Sequence, residues 1–218
     1  RYFYDKNIPV DMIPIVADFS KYDVVVAPVL YMVKEGVGEA LEEYVKKGGT
    51  LVTSFMSGIV DQSDNVHLGG YPGPLRRMAG IWVEEIDALA PEQHNTVVFT
   101  DGSEYTCRML CDLMHLEGAE SLANYSSDFY AGTPVVTRNE FGKGRVYYIG
   151  TELEESALDK VLDQVTAEAN VSSVIDEPTK LEVTYRESEK ERLYFIINFV
   201  KDEQPLPKCF VGKRDLLS

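Results

Sequence analysis

Cysteine is scarce in this chain: Cys107, Cys111 and Cys209 are the whole complement of its 218 residues, an odd number with no C-x-x-C spacing. That fits a reducing compartment better than a disulfide framework, so the cytoplasm is the expected location. Basic residues are also few, 21 against 36 acidic ones, for a formal charge of -15. A field of that sign repels phosphate backbones and anionic lipid, so neither nucleic acid nor a membrane surface is an expected partner. No apolar run approaches the roughly 20 residues that span a bilayer. The opening Arg1-Tyr2-Phe3-Tyr4-Asp5 lacks the pattern of a signal peptide and reads as the inside of a helix. Internal repeats and low-complexity tracts are missing as well.

What is present is the composition of a folded protein, 44% hydrophobic with 13 tyrosines, and enough length for one medium domain and a smaller one. Residues 1 to about 170 alternate strand-like and helix-like signals, the pattern of a sheet wrapped by crossover helices. Val10 to Ile15 and Asp23 to Val29 read as the first strands, the second apolar enough to be buried on both faces. Glu35 to Lys47 sets Val37, Ala40, Leu41, Tyr44 and Val45 at helical spacing, acids early and lysines late, and Gly48-Gly49 stops it. Leu51 to Phe55 is the next strand and Pro74 to Ala79 a short helix. Strands follow at Ile81 to Ile86, Thr96 to Thr100, Ala119 to Tyr125, Pro134 to Asn139 and Arg145 to Ile149, the last two joined by a Gly142-Lys143-Gly144 hairpin turn. Glu154 to Asn170 is a helix with Leu158, Val161, Leu162, Val165 and Ala169 on one face. Asp176-Glu177-Pro178 marks a boundary, beyond which Leu181 to Arg186 and Arg192 to Phe199 alternate as the strands of a small β appendage.

The residues that could carry chemistry are thinly spread. Cys107, Cys111 and His115 share one face if their segment is helical, but Leu110 and Met114 interleave with them and buried core is the better reading. Ser57 follows a strand without the G-x-S-x-G elbow of a hydrolase, so capping of backbone groups suits it better than nucleophilic attack. Asp61 and Asp64 sit among Gln62, Ser63 and Asn65, the composition of an exposed turn rather than of an acid/base or cation pair. Gly142-Lys143-Gly144-Arg145 lacks the spacing of a phosphate loop. The long loop His67-Leu68-Gly69-Gly70-Tyr71-Pro72-Gly73-Pro74-Leu75 leaves the C-terminal end of a strand, where open α/β sheets place their working loops. His67 beside Gly69-Gly70 could contact a sugar hydroxyl, and Tyr71, Phe129 and Tyr130 offer aromatic surface for a protein neighbour or a sugar ring.

Taken together, Asn7-Ile8-Pro9-Val10-Asp11, Val26-Ala27-Pro28-Val29-Leu30-Tyr31, Gly48-Gly49-Thr50-Leu51-Val52, Ser57-Gly58-Ile59-Val60-Asp61, the loop from His67 to Leu75, Asp128-Phe129-Tyr130-Ala131-Gly132 and Gly142-Lys143-Gly144-Arg145 carry a family likeness. The chain resembles the region that follows the catalytic barrel in glycoside hydrolase family 42 β-galactosidases. The resemblance implies an α/β fold, flavodoxin-like and class I glutamine-amidotransferase-like, with a doubly wound, mostly parallel sheet over residues 1–177 that mediates trimer formation, and part of a small C-terminal all-β domain over 178–218. It implies a homotrimer in the parent enzyme and a β-galactoside substrate cleaved by two glutamates on the barrel, outside this chain. No residue here is therefore expected to be catalytic, and no cofactor or metal is expected. His67, Gly69, Gly70, Tyr71, Pro72, Phe129 and Tyr130 become the expected interface or cleft-rim residues. Family members normally carry one more, central strand ahead of the helix that ends at Asn7, so a gap is expected between Val10 to Ile15 and Asp23 to Val29; the β domain likewise ends early, after Arg214-Asp215-Leu216-Leu217. Two other functions stay open: an amidotransferase-like hydrolase using Ser57 or a cysteine, and a carbohydrate-binding module using Tyr71, Trp82, Phe129 or Tyr130.

Overall fold

The computed structural model describes residues 1–216, so Leu217 of the expected early ending lies outside the described residues. Two compact units divide the chain, one formed by residues 14–170 and the other by 1–13 together with 171 onward.

The larger unit is built on one nine-stranded sheet. Its elements in chain order are β1 (Val24–Ala27), α2 (Val37–Lys47), β2 (Thr50–Ser54), a 3-10 turn (Gly73–Leu75) running into α3 (Arg76–Ala79), β3 (Ile81–Ala88), β4 (Asn95–Phe99), β5 (Glu104–Leu116), β6 (Glu120–Tyr125), β7 (Pro134–Phe141), β8 (Gly144–Ile149), β9 (Thr151–Leu153) and α4 (Glu155–Glu168). The strands run in the order β1-β2-β8-β7-β6-β4-β5-β3, with β9 beside β5. Alternate residues of the central strands face opposite ways, as the pleat requires. Leu51, Val146 and Tyr148 join Leu41 and Val45 of α2 in one core, while Val52, Tyr147 and Ile149 join Ala157, Val161 and Val165 of α4 in the other. Every residue of β2 is buried as a result. Each fully buried Leu or Val of these faces contributes about 2 kcal/mol through the apolar surface it removes from water.

The expected mostly parallel sheet is corrected. Only β1–β2 and β2–β8 pair in parallel; β8–β7, β7–β6, β6–β4, β4–β5, β5–β3 and β5–β9 are antiparallel. The cause is connection length: Gly142-Lys143 closes β7 on β8 as a tight hairpin, with Phe141 facing Gly144, and short links can only reverse a strand, whereas a parallel neighbour needs a crossover. The architecture is mixed α/β with helices on both faces.

Two further expectations change. Val10 to Ile15 forms no strand, because Pro9 precedes it and Pro14 interrupts it, and proline offers the ladder no N–H. β1 pairs with β2 alone among the described residues, at the edge of the sheet. The segment Glu104–Leu116 is a long strand, not a helix; a bulge between Arg108 and Cys111, with Met109 at φ 72°, breaks the alternation that marks strands in sequence.

The smaller unit joins a short helix from residues 1–13 to a β-hairpin. It holds α1 (Tyr2–Asp5), the hairpin of β10 (Glu182–Glu187) with β11 (Arg192–Ile197), and a 3-10 turn at Lys208–Phe210. Val183, Leu181, Ile175 and Phe210 make its core, with Tyr194 and Ile196 against it. Asn7 ties the helix to the hairpin: at φ 50° it ends α1 in a conformation asparagine tolerates, its side chain accepts the Val183 N–H at 2.7 Å, and its carbonyl accepts the Val174 N–H at 2.9 Å.

Candidate interface and loop site

The C-terminal end of β2 is organised by three buried hydroxyls. Ser54 Oγ accepts the Val29 N–H at 2.9 Å, Ser57 Oγ accepts the Leu30 N–H at 2.9 Å, and Thr53 Oγ1 bridges Ser57 Oγ (2.9 Å) and the Ala27 carbonyl (3.0 Å). They hold the chain leaving β1 in a bent path in which Val29 sits at φ 49°, a region β-branched residues rarely enter. Ser57 is fully buried, and its partners are a peptide N–H and a threonine. It caps backbone, as expected from its sequence setting.

Beyond it, Tyr31 to Val33 lies along Ile59–Val60, which in turn pairs with Val66. The turn between carries Asp61, whose Oδ1 accepts the N–H groups of Ser63 (2.8 Å) and Asn65 (3.0 Å). Those backbone bonds, from Asn65 and then Ser63, hold its carboxyl below the usual range. Asp61 is thus the anchor of an Asx turn.

The expected site loop is then stitched in place. The Tyr71–Pro72 bond is cis, and Tyr71 bridges to Val83 of β3. A Cβ on Gly58 would fall 2.1 Å from the Pro72 carbonyl oxygen, and one on Gly70 would fall 2.3 Å from Trp82 Nε1; both glycines also have positive φ, so only glycine fits. Arg76 donates to the Gly69 carbonyl and forks onto Glu117, with Nε to Oε2 at 2.7 Å. Trp82 stacks on His115 with ring centroids 4.8 Å apart and carries Arg76 over its ring, and His115 Nε2 lies 2.6 Å from Glu84. A shallow recess of about 350 Å³ opens among Gly69, Gly70, Tyr71, Arg76, Trp82 and Glu84. Because Trp82 already has His115 and Arg76 on its π-surface, it is a support for the loop rather than a bare platform. His67 turns its Nε2 into the fold, where that atom is buried without a hydrogen-bond partner.

Phe129 and Tyr130 sit apart, on the connection between β6 and β7. Phe129 is 75% exposed, but Tyr130 is buried and donates its hydroxyl to Asp87 at 2.9 Å. The expectation of a two-residue aromatic surface is corrected there: Tyr130 packs edge-on against Tyr125 and Phe129 and props its neighbour outward. Cys107 and Cys111 are buried in the core, with Cys111 Sγ 3.9 Å from Thr151 Oγ1, while His115 is exposed at the far end of β5. The three do not converge. The hydrogen bond to Cys111, with burial, pushes the Cys107 thiol up.

Sequence reading missed one buried acid. Asp112 of β5 is 1% exposed, Tyr148 donates to its Oδ2 at 2.7 Å, and its Oδ1 has no partner. Burial pushes its carboxyl up to about 7. A lone acid inside the run Leu110-Cys111-Asp112-Leu113-Met114 was the available signal.

Against known proteins, residues 1–172 match the model of the β-galactosidase trimerisation domain. The chain belongs to this family. The chain is 49% identical over 219 residues to the β-galactosidase LacA of Lactobacillus acidophilus, a match that covers 100% of this chain and 33% of the relative. In structure it resembles a β-galactosidase from Bacillus circulans sp. alkalophilus, with TM-score 0.89, 44% identity, 93% of this chain and 31% of the other covered. It also resembles Gan42B, a GH42 β-galactosidase from G. stearothermophilus, with TM-score 0.86, 36% identity and coverages of 93% and 30%. The chain thus spans about a third of the length of the relatives it matches.

Proposed function

We propose that this chain is the assembly and scaffold region of a β-galactosidase that hydrolyses terminal β-D-galactosides, with the reactive carboxylates on a part of the protein outside these residues. The observation that carries this is the alignment of the whole chain to one third of a β-galactosidase, most of it within a domain named for trimerisation. The local chemistry agrees. Ser57 is spent on a peptide N–H and Thr53, Cys111 faces a threonine, and a nucleophile without an imidazole within reach has no base to activate it.

On this reading residues 1–177 form the trimerisation domain and 178–218 belong to a C-terminal β domain. The three parallel strands β1, β2 and β8, with α2 and α4 on opposite faces, are its flavodoxin-like, glutamine-amidotransferase-like part. His67, Gly69, Gly70, Tyr71, Pro72 and Phe129 line the loops that meet a neighbouring subunit or the rim of the sugar cleft, and Tyr130 anchors Phe129. The parent works in the cytoplasm as a homotrimer, without nucleic acid or membrane as a partner; no helix among the described residues is long and apolar enough to cross a membrane.

The purified chain is expected to leave a chromogenic β-galactoside intact, and turnover that tracks the chain through purification would overturn the reading. In the full-length parent, Phe129→Asp is expected to weaken the trimer; an unchanged trimer would remove Phe129 from the contact.

A further inference from the structure

Two buried thiols have no role in the assembly reading, and the bulge in β5 brings them together. Cys107 and Cys111 stand four residues apart in sequence and are both fully buried. In the ladder to β9, Cys107 faces Leu153, Arg108 faces Glu152 and Cys111 faces Thr151. Four steps along β5 therefore match two steps along β9, because the bulge throws Met109 and Leu110 out of register. At about 3.3 Å per residue, this sets the two cysteines about 7 Å apart along the strand rather than about 13 Å. Leu153 and Thr151 point to one face of β9, so the cysteines opposite them share one face of β5. The side chains agree. Cys107, Cys111 and Leu153 pack in one core, whereas Arg108 pairs with Glu152 at 3.2 Å on the exposed side.

The sulfurs themselves meet. Cys107 hydrogen-bonds to Cys111, and Thr151 interacts with both; its Oγ1 lies 3.9 Å from Cys111 Sγ and donates to the Arg108 carbonyl at 3.4 Å. A Cα separation of about 7 Å is the outer limit that a disulfide spans, and a bulge bends its strand, which brings the two positions closer. The bond between the thiols also makes them unequal. It is the main influence that draws the Cys111 thiol down to about 7, against its burial, and it pushes the Cys107 thiol up. Cys111 is thus the readier nucleophile and Cys107 is placed to resolve what forms on it. Cys209, by contrast, is exposed.

Burial and charge select the reagent. Neither core sulfur touches solvent, which keeps a bulky disulfide such as oxidised glutathione from attacking it, and the chain's charge of -15 repels that molecule's carboxylates. Hydrogen peroxide is neutral and little larger than water, and only the exposed bulge residues Arg108 and Met109 separate the two cysteines along the surface. Independently of the assembly reading, we propose that Cys107 and Cys111 are a reversible oxidation site that closes to an intrachain disulfide on reaction with a hydroperoxide. In the first step the Cys111 sulfur attacks one peroxide oxygen. An S–O bond forms, the O–O bond breaks, and the departing hydroxide takes the thiol proton and leaves as water. In the second step the Cys107 sulfur attacks Cys111 Sγ, forming S–S and breaking S–O, and the Cys107 proton leaves on the second water. The two sulfurs lose two electrons and the peroxide oxygens gain them. Transient, sensing disulfides of this kind are the ones found in reducing compartments.

The test exposes the 218-residue chain, shown to be folded by circular dichroism, to hydrogen peroxide, then alkylates the remaining thiols in denaturant and digests with trypsin. Should the chain not fold by itself, the same peptides are read in the full-length parent. Trypsin cuts after Arg108, so Cys107 and Cys111 fall on separate peptides, 78–108 and 109–138, which stay joined only through a disulfide. The expected result is the joined pair, released by dithiothreitol, with neither cysteine alkylated. Peroxide also oxidises exposed methionines such as Met109, so the link and not the gain in mass is the readout. Cys107→Ser is expected to abolish the link and leave a Cys111 sulfenic acid that dimedone captures, whereas Cys111→Ser is expected to abolish the link and leave Cys107 unmodified. If either serine variant loses its fold, the wild-type peptides decide the matter. Separate peptides with both thiols alkylated, at a peroxide dose that fully oxidises the exposed Cys209, would overturn the inference. So would a link from either core cysteine to Cys209 in place of the expected one. The assembly reading stands in each of these cases.

Discussion

Tyr148 of β8 donates its hydroxyl to Asp112 of β5 at 2.7 Å, and neither side chain reaches water. The two strands are not neighbours in the sheet order, so this bond ties its parallel end to its antiparallel end through the core. Burial favours the protonated form of this carboxyl, since the Oδ1 atom has no donor to stabilise a charge.

That arrangement makes stability depend on pH with a definite sign. Asp112 moves from 3.8 to about 7 on folding, so its contribution is complete below pH 3.8 and is lost as pH rises through about 7. The full span is on the order of 4 kcal/mol. Cys111 and Tyr125 interact electrostatically with Asp112, and Tyr71 with Tyr148. We expect Asp112→Asn to remove the fall in stability between these two pH values, measured as the difference between variant and wild type in urea unfolding. An unchanged slope would show that the carboxyl is already ionised in the fold.

Ser57→Ala should destabilise the chain by about 1–2 kcal/mol, because it leaves the Leu30 N–H without its acceptor inside the protein. It should not alter reactivity. A fluorophosphonate probe is expected to leave wild-type Ser57 unlabelled; stoichiometric labelling would restore the hydrolase reading.

Gly58→Ala places a methyl group 2.1 Å from the Pro72 carbonyl oxygen at a residue with φ 67°. Backbone cannot move aside as a side chain does, so a loss of about 2 kcal/mol or more is expected in thermal unfolding. Gly70→Ala instead pushes on Trp82, the chain's single tryptophan. Its signature is a shift in tryptophan emission with a smaller change in stability; unchanged emission would mean the loop does not lie on that ring.

Arg138 meets Glu120, Glu140 and Glu168, and Arg145 shares Glu140 and Glu168. The arginines and Glu168 are only about a quarter exposed, so this network is screened less than an isolated surface pair. Arginine and glutamine contacts hold the Glu168 carboxyl below the usual range against its burial, which acts the other way and is the largest influence on it. We expect Glu168→Gln to lower stability by about 1 kcal/mol at neutral pH, with the difference shrinking in acid as the wild-type carboxylate protonates.

The helices and short strands were legible because their signals are local. Val37–Lys47 has apolar residues at helical spacing with a glycine stop, and β8 is a short β-branched and aromatic run after a Gly-Lys-Gly turn. The loop from His67 to Leu75 announced itself by composition. Three things were not legible. Glu104–Leu116 hid its strand, because cysteines and histidine four apart imitate a helix and the bulge at Met109 interrupts the alternation. Val10 to Ile15 looked like a strand by residue type, yet pairing needs a neighbouring backbone and free N–H groups, and Pro14 inside the run has none. Tyr130 and Phe129, adjacent and chemically alike, ended on opposite sides of the surface because Asp87 captures one hydroxyl.

By itself the amino-acid order determined the family, the helices, the turns and the absence of a local nucleophile-and-base pattern, since each of these depends on residues close together along the chain. Only the tertiary structure decided strand direction, the burial of Asp112 against Tyr148, and the hydroxyl clamp that holds Val29 at positive φ. Those features join residues far apart in sequence, and which of them meet is fixed by backbone pairing and packing across the sheet, not by the chemistry of any one segment.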